Sequence, residues 1–426
     1  MEHPFDFYRH YELVKKRPNE FQPPDLDDSL KPATIIIDPT DDLYDPDNQM
    51  QRTTNFCVCR TPGGRIFESF FSAKEHNDEN TGNWDMIICS EDGGKSFHNK
   101  IAINPPDFKT TRVFEGIFWL DPKGRLWIFY VQTYRRMDGR EGVWFIRSDN
   151  PDAEKLSFTA PRRICDGIIS APPTVLSDGR WAFTSYLHHP SAFHGDFHDD
   201  FETTDIIWMP EDIGISVHVS RDEGESFETI AKGIKFPYAT FYENTLVEKL
   251  DGRLWILIRG MNCTGQCFSS DGGYTWTPAV PNGALPLPNS HFCIGRLKSG
   301  NLLLVANYKA DMFTYYIGRN NLTALISTDD GATWGAHNLL IDEREGAEQP
   351  GFHEADDGFI YISYGRAPQL AGESLLAIVT EQDILEGRLV NPKSRLRIST
   401  GRSTGMRHLE FYPQLIEIAK QNGIEM

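Results

Sequence analysis

The apolar positions of the chain fall into many short runs, each bounded by Gly, Pro, Asp, Asn or Ser. Runs of this kind, with turn residues between them, predict β-strands rather than helices. A recurring unit puts the runs in order. A Gly-led turn followed by an apolar strand reads Gly64-Arg-Ile66-Phe67, Gly124-Arg-Leu126-Trp127, Gly179-Arg-Trp181, Gly252-Arg-Leu254-Trp255, Gly300-Asn-Leu302-Leu303 and Gly358-Phe-Ile360-Tyr361. Successive copies are separated by 60, 55, 73, 48 and 58 residues. Periods near 50 residues, with several strands in each, indicate propeller blades. Six units predict six blades.

A second repeat agrees with the first. The motif Ser-x-Asp-x-Gly-x-Ser/Thr-aromatic occurs as Ser90-Glu-Asp92-Gly-Gly94-Lys-Ser96-Phe97 and Ser220-Arg-Asp222-Glu-Gly224-Glu-Ser226-Phe227. It returns as Ser269-Ser-Asp271-Gly-Gly273-Tyr-Thr275-Trp276 and Ser327-Thr-Asp329-Asp-Gly331-Ala-Thr333-Trp334, with a degenerate copy from Ser148-Asp149-Asn150 to Ser157-Phe158. The aspartate can accept from turn amides, the glycine takes an angle other residues avoid, and the aromatic plugs the gap beneath. Its role is structural. Ala33-Thr-Ile-Ile-Ile-Asp38 reads as a lone strand expected to complete the last blade and close the ring without an open edge. Leu409, Phe411, Leu415, Ile416 and Ile418 predict a short C-terminal helix. The expected division is an N-terminal extension over 1–32, an all-β six-bladed propeller with Asp-box turns over 33–404, and a helical tail over 405–426.

Composition supports a large core: 426 residues, 39% hydrophobic and 12% aromatic, with 35 Gly and 26 Pro spread along the length. The 61 acidic and 42 basic residues give a net charge of −19. That surface repels nucleic acid and anionic membranes, so binding an anionic ligand needs arginines gathered locally. No basic-then-apolar leader opens the sequence, and no run approaches the roughly 18 apolar residues that span a bilayer. Seven Cys form no metal-type pair, and Cys57 and Cys59 alternate with Phe56 and Val58 as small strand hydrophobes. These features predict a cytoplasmic protein, or a secreted one trimmed of its leader, and call for no cofactor.

The innermost strand of each blade should precede the Gly-led turn, and the next strand returns to the same face. Before the turns stand Arg52, Glu115, Ser170, Glu243, Ser290-His291 and Gln349. After them come Glu75-His76, Gln132 and Tyr134, Tyr186 and His188, Arg259, Asn307-Tyr308, and Tyr364 and Arg366. Every unit thus delivers polar groups to one face. His188 and His291 end inner elements and are candidate general bases near neutral pH. The stretch His188–Asp200 is dense in His and Asp but matches no zinc spacing; a polar lid over the site, with no metal, is expected.

At these positions the chain resembles the sialidase superfamily over nearly its whole length. That family grips a substrate carboxylate with three arginines, whose guanidinium forks match it bidentately. The resemblance implies that these are Arg52 in Met50-Gln-Arg-Thr-Thr54, Arg259 at the end of Leu254-Trp-Ile-Leu-Ile-Arg259, and Arg319 in Gly318-Arg-Asn-Asn-Leu322. Arg366 rivals the third. It further implies that Glu243 accompanies the nucleophile and that Glu75 or Asp78 supplies the acid/base carboxyl. Glu115, Gln132, Tyr134 and Asn307 would line the sugar. Sialidases attack with a tyrosine. Before the last Gly-led turn this chain instead reads Glu348-Gln-Pro-Gly-Phe-His353, without one.

The expected function is a sialidase-like glycoside hydrolase that removes a terminal acidic sugar, with a carboxylate or an activated water attacking in place of the tyrosine. A uronate-directed polysaccharide lyase fits the same residues, with His188, His291 or Tyr134 moving the proton. A non-catalytic carbohydrate-binding propeller that keeps the clamp fits them too. All three take an acidic glycan as partner, and none a nucleic acid or a membrane.

Overall fold

The computed structural model describes residues 28–49, 51–74, 79–134, 141–188, 213–239, 241–261, 263–309, 319–366 and 372–403. These form six antiparallel sheets, the blades of a propeller. Blade one holds β1 (Thr34–Ile37), β2 (Gln51–Arg60), β3 (Ile66–Ala73), β4 (Trp84–Ser90) and β5 (His98–Asn104). Blade two holds β6 (Thr111–Leu120), β7 (Leu126–Tyr134), β8 (Gly142–Ser148) and β9 (Arg162–Asp166). In blade three the innermost strand comes in two pieces, β10 (Ile168–Ile169) and β11 (Thr174–Val175), followed by β12 (Trp181–Leu187), β13 (Gly214–Ser220) and β14 (Glu228–Ile234). Blade four holds β15 (Asn244–Glu248), β16 (Leu254–Gly260), β17 (Cys263–Ser269) and β18 (Val280–Pro281). Blade five holds β19 (Cys293–Arg296), β20 (Leu302–Asn307), β21 (Leu322–Ser327) and β22 (His337–Asp342). Blade six holds β23 (Ala347–Glu354), β24 (Ile360–Arg366), β25 (Glu373–Val379) and β26 (Arg395–Arg402), with a short helix α1 (Glu381–Glu386) before its last strand.

The six Gly-led turns link the first strand of each blade to the second, and all six glycines have positive φ, from 76° to 102°. One hydrogen-bond pattern closes all of them: Gly64 donates to Thr61, Gly124 to Asp121, Gly179 to Leu176, Gly252 to Lys249, Gly300 to Leu297 and Gly358 to Ala355. The Asp boxes close the hairpins between third and fourth strands. In the box after β17, Asp271 accepts from the Thr275 amide at 3.0 Å, the Thr275 hydroxyl at 2.6 Å and the Ser269 hydroxyl at 2.8 Å. These bonds, Thr275 first, lower the Asp271 carboxyl to about 2. Asp329 makes the same set with Thr333 and Ser327.

The two repeats pack on each other across the ring. Gly224, in the box of blade three, lies on Trp127 of blade two and Trp181, where an added Cβ would approach Trp127 at 2.4 Å. Gly331 of blade five lies likewise on Trp255 of blade four, at 2.7 Å. The tryptophan of one Gly-led turn therefore becomes the floor for the next blade's box. Trp127 and Trp255 are among the largest fully buried side chains, and apolar clusters fill the spaces between blades.

Ring closure differs from the expectation. β1 pairs with β5, Thr34 facing Asn104, as a fifth strand on the outer edge of the first blade. The last blade already has four strands of its own, so it offers no vacancy for an N-terminal strand. The ring closes by packing, with β2 seated against β23 and β24. The predicted C-terminal helix over 405–426 lies outside the described residues. All seven cysteines are unpaired thiols, six of them buried. Among the described residues, no helix is long and apolar enough to cross a membrane.

Candidate functional site

First strands begin, and second strands end, at the face opposite the Asp boxes. Several first strands break their ladder there. β6 carries a register shift between Phe114 and Ile117, and β23 one between Glu348 and Gly351. At these breaks Glu115 (φ 62°) and Gln349 (φ 56°) adopt the left-handed region, as does Tyr242 (φ 52°) just before β15. A non-glycine residue there costs on the order of 1–3 kcal/mol and persists only where its surroundings enforce it. Recurrence at equivalent places in three blades marks this face as built for the side chains it presents.

Two adjacent blades, four and five, bring Glu243, Arg259, His291 and Arg319 together. Arg259 Nη1 donates to Glu243 Oε1 at 2.6 Å, and His291 Nδ1 meets Glu243 Oε2 at 3.0 Å. Arg259 Nε donates to Asn289 Oδ1 at 2.8 Å and Nη2 to the Asn289 carbonyl at 3.2 Å. Arg319 reaches the same carbonyl through Nη2 at 3.4 Å and pairs through Nη1 with Glu348. Two guanidinium groups thus converge on one peptide oxygen, and all of these side chains are buried. Burial alone would raise the Glu243 carboxyl, but Arg259 and His291 outweigh it and hold the group well below the usual range. Burial pushes His291 down; Glu243 pulls it back only in part, and Arg259 and Arg319 oppose its charging. It is a neutral imidazole at neutral pH.

Glu115 is the opposite case. Burial, then the charges of Glu243, Glu79 and Asp85, raise its carboxyl well above the usual range, and Oε2 has no hydrogen-bond partner among the described residues. Tyr186 remains a phenol, because burial and then Glu243, Glu115 and Glu141 all oppose its ionisation. His188 lies 3.8 Å from Glu141 through Nδ1 and sets its ring edgewise to Tyr186 and Phe241. The Arg259 guanidinium covers the same Phe241, 4.8 Å from the ring centroid. Among the described residues, no group of three or more His, Cys, Asp or Glu could hold a metal ion.

The family described as "BNR repeat-like domain" matches residues 109–362, more than half of the chain. The chain belongs to this BNR repeat-like family. Its fold is a six-bladed Asp-box propeller, the fold that solved sialidases also show. A crystal structure of a protein of unknown function from Dyadobacter fermentans is 15% identical, with TM-score 0.55, covering 78% of this chain and 94% of that one. The leech intramolecular trans-sialidase is 10% identical, with TM-score 0.58, covering 83% and 71%. The intramolecular trans-sialidase from Ruminococcus gnavus is 12% identical, with TM-score 0.52, covering 84% and 99%. No protein of curated function matches the sequence. At these identities the structural likeness is one of fold.

The remaining described candidates stand near the same ends of their strands and are engaged within the protein. Arg52 turns into the seam between the first and last blades: its guanidinium covers Phe70 at 3.6 Å, Nε donates to Ser374 at 2.8 Å, and Gly401 leaves room for it. Gln132 gives its amide to the Ser29 and Lys31 carbonyls at 2.6 and 2.7 Å, anchoring the N-terminal segment to blade two. Asn307 donates to the Asn320 and Ala347 carbonyls at 2.9 and 2.8 Å and accepts from Ser290, tying blade five to blade six. Arg366 pairs across its hairpin with Glu373 at 3.5 Å, and Tyr134 ends β7 opposite Thr111. Tyr364, buried, donates to Asp342 at 3.1 Å. Glu75 and Asp78, and the expected lid beyond His188, lie outside the described residues. Reading the sequence missed Asn289 and Glu348 as site residues. Each adjoins a polar position that the repeat spacing had marked, Ser290 and Gln349, and that adjacency was the available signal.

Proposed function

We propose that the protein is a glycoside hydrolase that removes a terminal carboxylate-bearing sugar from a glycan. Glu115 is the general acid, and His291, held by Glu243, is the base that activates water. One contrast carries this reading: burial and nearby carboxylates favour the protonated form of Glu115, while Arg259 and His291 favour the ionised form of Glu243. A carboxyl that holds its proton at neutral pH can give it to a leaving oxygen. Both oxygens of Glu243 are engaged, one by Arg259 and one by His291, which suits it to orient an imidazole rather than to attack. With Nδ1–H donated to Glu243, Nε2 carries the ring's lone pair and is the atom proposed to take the proton from water. Attack by water in one displacement inverts the anomeric centre.

The charge preference rests on the arginines. Arg259 spends Nε–H and one N–H of each terminal nitrogen on Glu243 and Asn289, which leaves one N–H on each terminal nitrogen for an anion. Paired N–H donors match a carboxylate. Two structural neighbours are intramolecular trans-sialidases described with 2,7-anhydro-Neu5Ac and with oseltamivir carboxylate, which supports an acidic sugar. The test is a panel of aryl glycosides of acidic sugars, with product stereochemistry followed by NMR. Glu115→Gln should lower kcat by roughly 10²–10⁴-fold with little change in KM. Turnover that survives this substitution, or absence of turnover across the panel, would sink the assignment.

The His291–Glu243 pair also favours a second reading, a lyase in which His291 takes a C–H proton beside a uronate carboxylate neutralised by Arg259 and Arg319. A new ultraviolet absorbance from an unsaturated uronate, without uptake of solvent oxygen, would select it.

A further inference from the structure

Among the described residues, two large exposed apolar side chains lie close to the Arg259 cluster. Tyr238 is 52% exposed and Met261 41% exposed. Tyr238 belongs to the segment entering blade four, and Met261 to the turn after β16, two residues beyond Arg259. The Met261 amide donates to the Tyr238 carbonyl at 2.8 Å, so the two loops are stitched together. Asn289 then bridges them to the site: Nδ2 donates to the Met261 sulfur at 3.2 Å while Oδ1 accepts from Arg259 Nε at 2.8 Å. Beneath lies Phe236, fully buried, its ring on Gly260 and Gly265, where an added Cβ would stand 2.7 and 2.6 Å from ring carbons. Phe236 meets Tyr238 edge to face at 5.5 Å. The tyrosine is therefore backed by packed side chains, yet presents much of its surface to solvent.

We propose that Tyr238 and Met261 form the platform for the second sugar of the glycan, the unit carrying the terminal acidic one. This rests on the hydrolase reading for its orientation. The chemistry follows from the surfaces. An aromatic face with few rotatable bonds offers a large apolar contact at small entropic cost, and a thioether adapts to an irregular ring edge. Neither residue carries charge, so the unit they receive is uncharged. The Asn289 bridge puts this surface one side chain away from the guanidinium proposed to hold the terminal carboxylate. The preferred ligand is then an oligosaccharide with an acidic end and a neutral second residue.

The experiment is capture on a glycan array by full-length Glu115→Gln protein, compared with the same protein also carrying Tyr238→Ala or Tyr238→Phe. Tyr238→Ala should weaken capture of glycans with an acidic terminus on a neutral sugar by about tenfold, and Tyr238→Phe, which keeps the ring, should restore it. Saturation-transfer NMR on a captured glycan should show contact at the second ring, lost with Tyr238→Ala. Unchanged capture, equal loss for the free acidic monosaccharide, or no glycan captured at all overturns the platform. Capture that depends on Tyr238 without turnover by the unsubstituted protein would leave the platform standing and remove the hydrolase.

Discussion

Glu115 and Glu68 are both buried carboxyls, and their settings assign them different work. Glu115 faces the axis beside Glu243. Glu68, on β3, faces the seam, where the Thr400 hydroxyl donates to it at 2.6 Å and Arg52 lies nearby. Burial lifts Glu68 from 4.5 to about 7 even though Thr400 and Arg52 oppose the rise, and burial brings Arg52 down to about 9. The unfolded chain therefore loses the Glu68 proton near 4.5 while the folded chain keeps it to about 7. Where the native state binds the extra proton, stability falls as pH rises, here between those two values. Glu68→Gln keeps an acceptor for Thr400 and should remove that slope, so urea unfolding at pH 5 and pH 8 should give the variant its relative gain at the higher pH. Equal differences at both would show that Glu68 is not the titrating group. The same seam explains what the sequence could say about Arg52. The repeat placed it correctly at the start of an inner strand, but a strand residue's side is set by register, and β2 carries an irregularity between Thr54 and Val58. Glu243 and Arg259 were legible because they flank a regular pair, Asn244 to Glu248 against Leu254 to Ile258.

At the scale of elements, the six Gly-led turns and four Asp boxes were readable because each is a local device, complete within a few residues. What those devices touch across a blade boundary was not. Gly252 and Gly331 separate the two effects. Both have positive φ, 82° and 83°, but a Cβ on Gly252 would meet nothing within 4 Å while one on Gly331 would strike Trp255 at 2.7 Å. Gly252→Ala should cost about 1–2 kcal/mol, the left-handed penalty alone. Gly331→Ala should cost a further 1–3 kcal/mol, roughly, for overpacking against a buried indole. Equal losses of stability in thermal or denaturant unfolding would mean that the box is not held by its neighbour's tryptophan. β1 shows the limit of local reading from the other side. Four apolar residues specify a strand but not which sheet edge it joins, and the outer edge of the first blade was open to it.

At the scale of the whole molecule, the charge of −19 and the proposed acidic substrate are in tension, and the tension has a measurable sign. An anionic glycan approaching this surface is repelled at long range, and the repulsion falls off over about 8 Å at physiological ionic strength. The proposed contacts with Arg259 and Arg319 would be made at short range inside a buried cluster, where added salt screens them far less. Raising ionic strength should therefore relieve the repulsion more than it weakens the grip, and kcat/KM for an acidic glycan should rise with salt. The measurement needs only initial rates with the acidic substrate across a salt series, and it reads the charge of the mouth without altering a residue. A fall with salt for the acidic substrate would place a net positive field at the entrance and transfer the burden of recognition from the two axial arginines to basic groups at the rim. A rise would mean that this propeller admits its substrate against its own field and identifies it only at the axis, where Glu243 and Glu348 already balance the two guanidinium groups and the substrate carboxylate must compete on geometry rather than on charge.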